Sequence, residues 1–287
     1  MNDKSKLRKL NLKETQEELL DLLLKFDSFC KEHKINYFLS GGTLLGAIRH
    51  QGFIPWDDDI DLMIPRMEYE KLKRILNKTN TPVINPKHYT NDDKYFFPYL
   101  RIVEPSVFVK MPFYNRYNPK KVSENLNLFI DIFPIDGVPK LKLLQKFLFL
   151  RIKYLRKFAK SSLIRVDWFG DDETFVRKIG KFIFVPVILL CRIFGHKFFL
   201  DKIENLIKRA DFEKAEFVAA CTGINGTKEI MSKKAVENYI DVQFEKYSFK
   251  APQGYDEYLS NLYGNYMELP PEDKRISHFD GLVFKVE

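Results

Sequence analysis

Asp57, Asp58, Asp59 and Asp61 place four carboxylates within five consecutive residues. Crowding that much negative charge costs mutual repulsion unless a cation or strong hydrogen-bond donors offset it, and a divalent metal is the simplest offset. From Asp59 onward, acid and aliphatic residues alternate at the period of a strand. Asp59 and Asp61 therefore share one face, while Ile60 and Leu62 anchor the other in the core. Hard oxygen donors flanked by Trp56 and the apolar run Leu62-Met63-Ile64 favour Mg²⁺ or Mn²⁺ over zinc. The competing reading is a solvated acidic loop.

Upstream, Tyr37-Phe38-Leu39 reads as a short strand stopped by Ser40-Gly41-Gly42, after which Thr43 to Ile48 takes up helical spacing. A glycine turn between strand and helix lets backbone N–H groups and the helix N-terminus approach a phosphate. Alone the pattern is an ordinary turn. Beside a carboxylate-held metal it forms the minimal apparatus for phosphoryl or nucleotidyl transfer. Asp131, the one acid within the apolar stretch Leu128 to Ile135, is either a third carboxylate of that site or a hydrogen-bonded acid on an edge strand. Arg49 and His50 end the helix after the glycines, where they face either phosphate oxygens or the negative end of the helix dipole. Arg66 and Arg101 are further phosphate-binding candidates. His33, His88, His196 and His278 share no ligand spacing, and no Walker loop, Gly-x-Ser-x-Gly or Gly-x-Gly-x-x-Gly motif occurs.

These residues need elements to hold them. The chain has 287 residues, 45% hydrophobic and 15% aromatic, enough for one large or two small cores, which excludes wholesale disorder. A net charge of +8 suits an anionic partner: a nucleotide, a nucleic acid or a lipid surface. Cys30, Cys191 and Cys221 are odd in number and unpaired in spacing, which points to a reducing interior and away from disulfides or zinc. An amphipathic helix is expected from Leu12 to about Lys34; its charges rule out a secretory segment. Strands are expected at Tyr99–Val103, at Ser106–Val109 and from Leu128 to a turn at Asp136-Gly137, and helices from Pro65 to about Asn77 and over Leu200–Ala210. Lys140 to Val166 holds nine Lys or Arg and no acid among regularly spaced Leu and Phe, a basic amphipathic helix. Phe182 to Cys191 has ten uncharged residues, against about 20 for a bilayer span. The expected organisation is a catalytic core over 1–136, a basic helical insert over 137–210 and a segment over 211–287 that completes the core. The insert either rests on an anionic membrane leaflet or is an ordinary helical subdomain.

The stretch Leu39 to Asp61, with Ser40-Gly41-Gly42-Thr43 and Trp56-Asp57-Asp58-Asp59-Ile60-Asp61, resembles the signature of the LicD family of phosphotransferases, relatives of the fukutin proteins. The resemblance continues through Phe129 to Gly137, Pro252 to Leu259 and Tyr263 to Met267. It implies the nucleotidyltransferase fold shared with DNA polymerase beta, an α/β (α+β) architecture with a mixed sheet flanked by helices. It also implies metal ligation by Asp59, Asp61 and Asp131 and catalysis by those three with Asp58, Asp57 being the alternative to Asp58 for orienting or deprotonating the acceptor. Gly41, Gly42, Thr43, Arg49, His50, Trp56, Asp57 and Arg101 are the implied substrate contacts.

The implied reaction moves phosphocholine from CDP-choline to a hydroxyl of a cell-surface glycan, such as lipopolysaccharide or teichoic acid, or its lipid-linked precursor, releasing CMP. Glycerol or ribitol phosphate from a CDP-activated donor is the alternative. A nucleic-acid-binding nucleotidyltransferase is the rival from another class. Sixteen residues separate Gly42 from Asp59, a spacing similar to LicD proteins and longer than in the wider superfamily, which argues against a polymerase and a nucleic-acid partner. The implied location is cytoplasmic, at the inner face of the plasma membrane.

Overall fold

A computed structural model describes residues 7–78, 84–110, 117, 125–164, 175–277, 279 and 281–287; for 125 and 175–184 it describes the backbone alone. His278 and Val166 lie outside the described residues. The described chain is mixed α/β. Eleven strands are β1 (Leu7–Lys9), β2 (Phe38–Leu39), β3 (Ile60–Pro65), β4 (Asn85–Lys87), β5 (Leu100–Lys110), β6 (Asn125–Val138), β7 (Phe217–Ala219), β8 (Ile230–Ser232), β9 (Tyr239–Phe244), β10 (Tyr247–Pro252) and β11 (Val283–Val286). Six helices are α1 (Leu12–Glu32), α2 (Gly41–His50), α3 (Arg66–Lys78), α4 (Lys142–Ser161), α5 (Phe175–Ile207) and α6 (Tyr255–Tyr263).

One sheet runs β1-β11-β5-β6-β3-β2, with β4 on β5 and β7 and β8 continuing from the far end of β6. Strand β6 is its axis, antiparallel to β5 and β7 and parallel to β3. Its run Leu128-Phe129-Ile130 and Ile132 is buried, the signature of a strand covered on both faces. Helix α1 starts at a capping box, Asn11 Oδ1 accepting from Glu14 N at 2.9 Å while Glu14 Oε2 accepts from Asn11 N at 2.8 Å. It lays Leu19, Leu22, Leu23, Phe26 and Phe29 into the core and packs on β5 and β6.

Where two strands were expected, β5 is one. Pro105 has no N–H for the ladder, and Glu104 turns back to accept from Ser106 N (3.2 Å) and Oγ (2.7 Å). The pairing with β6 slips between Glu104 and Phe108 and then resumes. The Phe182–Cys191 patch and the Leu200–Ala210 helix join into α5, which breaks at Gly195. Helices α4 and α5 pack on each other through Leu148, Ile152, Leu200 and Ile203. No helix among the described residues is long and apolar enough to cross a membrane.

Arg66, a phosphate-binding candidate by sequence, is engaged by acids instead. Its guanidinium forks onto Asp136 at 2.6 Å twice and reaches Glu70 and Glu204 at 3.1 Å, joining α3, the end of β6 and α5. Nearby, His88 is buried with Nδ1 2.8 Å from Thr90 Oγ1 and its Nε2 without a hydrogen-bond partner. Burial, with Lys73 beside it, lowers its pKa to about 3. Above pH ~6.5 the ring is neutral folded or unfolded. Below that only the unfolded chain takes the proton, so stability falls by up to ~1.4 kcal/mol per pH unit until the folded ring titrates. Urea unfolding at pH 7.5, 6 and 5 is expected to show this loss, and His88→Asn to reduce it.

Candidate active site

The register between β3 and β6 decides which acids meet. Asp61 lies beside Asp131 in the parallel pair, and Arg101 of β5 lies beside Asp131 on its other edge. Aligned neighbours on adjacent strands point to the same face. The row Asp61, Asp131, Arg101 thus crosses three strands on one side of the sheet.

Arg101 and Asp131 form a buried bidentate pair. Arg101 Nε donates to Asp131 Oδ1, and Nη2 donates to Oδ2 at 3.1 Å. The guanidinium is stacked between Phe97 and Phe129, at 4.0 and 3.6 Å from the ring centroids. Burial pushes the Asp131 carboxyl up and Arg101 opposes that push. Arg101 is thereby committed to Asp131 and does not line the main cavity, so the expected phosphate contact is replaced by support of a carboxylate.

That cavity, about 690 Å³, opens over Asp61, and Asp57 and Asp59 line it with Gly41, Gly42, Arg49 and Trp56. Ser40 caps α2 without a side-chain bond to it, and its N–H donates to Asp61 O at 3.0 Å. Gly41 sits at φ +52°, and a Cβ there would stand 2.7 Å from Asp61 Oδ2. At Gly42 a Cβ would stand 2.8 Å from Asp57 Oδ2. The two glycines are therefore the condition for two carboxylates to press against the start of a helix. Gly41→Ala is expected to lose about 1–3 kcal/mol in chemical denaturation. Gly226→Ala, also at positive φ (+63°) but with nothing within 4 Å, should lose less.

Thr43 holds a strand rather than a ligand: its buried Oγ1 accepts from Asp61 N at 2.9 Å. Asp58 turns away from the cavity. Its carboxylate accepts from the Ser277 hydroxyl and from Phe279 N at 2.6 Å, fastening the C-terminal segment. Arg49 lines the cavity but spends Nη1 on Tyr266 O (2.7 Å) and Glu268 O (3.2 Å) and donates from Nε to His50 Nε2 at 2.9 Å. The His50 ring meets Trp56 edge-on at 6.5 Å, and Arg275 lies over Trp56 at 5.5 Å.

The opposite wall comes from parts of the chain to which the residue pattern assigned no role. Tyr258 of α6 exchanges a hydrogen bond with Ser40 Oγ at 2.9 Å and donates to Glu229 Oε2 at 3.0 Å, and Glu229 Oε1 accepts from Asn225 at 2.8 Å. Tyr258 and Tyr263 sit within the two C-terminal motifs, but Glu229 has no local signal at all. The hairpin β9–β10 braces the loop after α2, Glu245 Oε1 accepting from Phe53 N at 3.1 Å.

The donor set fits a hard divalent cation in its chemistry. Asp61 is pushed well above the usual carboxylate range by burial first and then by the charges of Asp59, Asp131 and Asp57. No hydrogen bond or ion pair among the described residues satisfies its carboxylate. Asp59 and Asp61 would hold Mg²⁺ or Mn²⁺, with Asp57 adjacent. Among the described residues no three His, Cys, Asp or Glu groups already stand in a metal-holding arrangement, because Asp131 is turned onto Arg101 and Asp58 onto Ser277.

Residues 34–163, which span α2, β3 and β6, match the family model for the LicD/FKTN/FKRP nucleotidyltransferase domain. The chain carries a LicD-family domain. Lipopolysaccharide cholinephosphotransferase LicD of Haemophilus influenzae is 29% identical over 285 residues, which cover 95% of this chain and 97% of that protein. Ribitol 5-phosphate transferase FKRP of Homo sapiens is 60% identical over 30 residues, 10% of this chain and 6% of that one. The LicD match extends beyond the domain to the C-terminal segment that supplies Glu229, Tyr258 and Tyr263.

Proposed function

We propose that the protein is a metal-dependent phosphotransferase that moves a phosphoalcohol from a CDP-activated donor to a hydroxyl of a cell-surface glycan or its lipid-linked precursor, releasing CMP. The observation that carries this reading is the pair of carboxylates Asp57 and Asp61 pressed against the Gly41-Gly42 start of α2, with Asp59 lining the same open cavity. Phosphocholine is the preferred group, supported by the near full-length similarity to the Haemophilus protein. The short FKRP match supports ribitol phosphate as the alternative.

A divalent ion held by Asp59 and Asp61 supplies neutralisation of the charge that develops on the transferring phosphoryl group. The chain's own groups do the rest. The α2 N-terminus and Arg49 bind donor phosphate oxygens, and Trp56 and Tyr263 shape the wall. The acceptor hydroxyl oxygen bonds to the distal phosphorus while the bond from that phosphorus to the bridging oxygen breaks, and CMP leaves with that electron pair. Asp57 takes the hydroxyl proton, since Asp57 lines the cavity and Asp58 is committed to Ser277 and Phe279. Arg101 opposes the upward push of burial on the Asp131 carboxyl next to Asp61.

Incubation with CDP-choline, CDP-glycerol, CDP-ribitol and CTP, each with Mg²⁺, Mn²⁺ or EDTA, tests the reading. Metal-dependent CMP release from one CDP-alcohol is expected. Pyrophosphate release from CTP would instead make it a nucleotidyltransferase. The same reading places the protein against an anionic leaflet. Exposed Leu143, Phe147 and Tyr154 on α4 and Ile193 and Phe194 on α5 stand among basic side chains, which supports surface insertion. Salt-sensitive sedimentation with phosphatidylserine vesicles is the expected result.

A further inference from the structure

A second cavity, about 580 Å³, runs along α4. Lys146, Lys153, Arg156, Lys157 and Lys160 line one side, and the loop from Gly223 to Thr227 lines the other. Helical geometry makes this a stripe. At roughly 100° per residue, Lys146, Lys153, Lys157 and Lys160 fall between the buried face of Leu148, Ile152 and Ala159 and the exposed apolar face of Phe147, Tyr154 and Phe158. Helix α4 carries no acidic residue. Lys146 and Lys153 make no ion pair or hydrogen bond among the described residues. Such a row of cations repels itself unless an anion lies in it.

Two neighbours say what kind of anion. Gly223, Ile224 and Asn225 line both this groove and the active-site cavity, so the two adjoin across this loop. On the far side Leu150 lines both the groove and a largely apolar cleft of Phe147, Tyr154, Leu155 and Phe158 that Arg151, Lys202 and Arg209 also line. The order is apolar cleft, basic groove, carboxylate cavity. Arg156 fixes the partition, donating to Thr222 O at 3.2 Å and Gly223 O at 2.8 Å.

We propose that the groove holds the phosphate of an amphiphilic acceptor, its apolar chain in the Phe147–Phe158 cleft and its hydroxyl-bearing end passing Asn225 into the active-site cavity. The destination of the hydroxyl rests on the transfer reading above; the phosphate site does not.

The test reads binding without turnover, in EDTA, by calorimetry with farnesyl diphosphate, farnesol and inorganic pyrophosphate. Farnesyl diphosphate is expected to bind more tightly than pyrophosphate, and farnesol not at all. Lys153→Ala/Lys157→Ala, at exposed positions, should weaken farnesyl diphosphate by about tenfold or more. Lys142→Ala/Lys214→Ala removes the same charge away from the groove and should leave it unchanged. Equal affinities for the two double variants overturn the proposal. So does binding to phosphatidylserine vesicles with none to monomeric farnesyl diphosphate, which would make the lysines a headgroup surface. Groove-dependent binding in a protein that releases no CMP from any CDP-alcohol keeps the groove and removes the transfer reading.

Discussion

Asp61→Asn is expected to cut CMP release by on the order of 10³-fold or more while leaving the protein folded and, without metal, at least as stable as the parent. The two halves of this expectation have one cause. Asp61 is crowded by Asp59, Asp131 and Asp57, and no partner among the described residues relieves it. A neutral amide keeps the size and removes the repulsion, so the fold gains what the chemistry loses. An acid that merely held the fold together would behave the opposite way, with stability falling and activity following it. Circular dichroism melts in EDTA, alongside CMP release at saturating Mg²⁺, separate the two. An Asp61→Asn variant that turns over normally, or one that unfolds, contradicts the assigned role.

Arg101→Ala should be the most damaging single change to the fold, at about 3–5 kcal/mol. It deletes the bidentate partner of a buried carboxylate and empties the space between Phe97 and Phe129. Asp131 would then stand buried beside Asp61 with no cation. Removing both charges in Arg101→Ala/Asp131→Ala should therefore recover part of the loss, although the cavity between the rings remains. Arg101→Lys keeps the charge but loses the fork and the stacking, and should fall between. Denaturant unfolding of the three variants checks the order.

Much of this site was legible because its signals are local. The Asp59–Asp61 alternation, the Gly41-Gly42 stop after an apolar strand and the isolated Asp131 each reveal themselves within ten residues; β6 carries Asp131 as expected, whereas β3 starts one residue after Asp59 and Gly41 and Gly42 open α2 instead of preceding it. Direction along the chain was not legible. Asp57 and Asp58 are chemically identical neighbours, and only the placement of Ser277 and Phe279 sends Asp58 away from the cavity. Thr43 and Arg101 looked like ligand contacts because a hydroxyl or a guanidinium near glycines and acids commonly is one. Strand register turned Arg101 onto the Asp131 carboxylate, and Thr43, on α2, accepts from the Asp61 backbone N–H instead. Glu229 reaches the site through a side-chain relay from Tyr258 to Ser40, and a relay built from three distant segments leaves no periodicity to read. The bulge that unites β5 was similarly hidden, since Pro105 reads as a terminator unless Glu104 is seen bridging it.

The most direct measurement is a crystal soaked with Mn²⁺ and CMP, with anomalous scattering collected at the manganese edge. A manganese peak is expected between the Asp59 and Asp61 carboxylates, with the CMP phosphate at the Gly41-Gly42 end of α2. Manganese bound elsewhere, or CMP seated away from that helix start while the protein still releases CMP from its donor, would contradict the account.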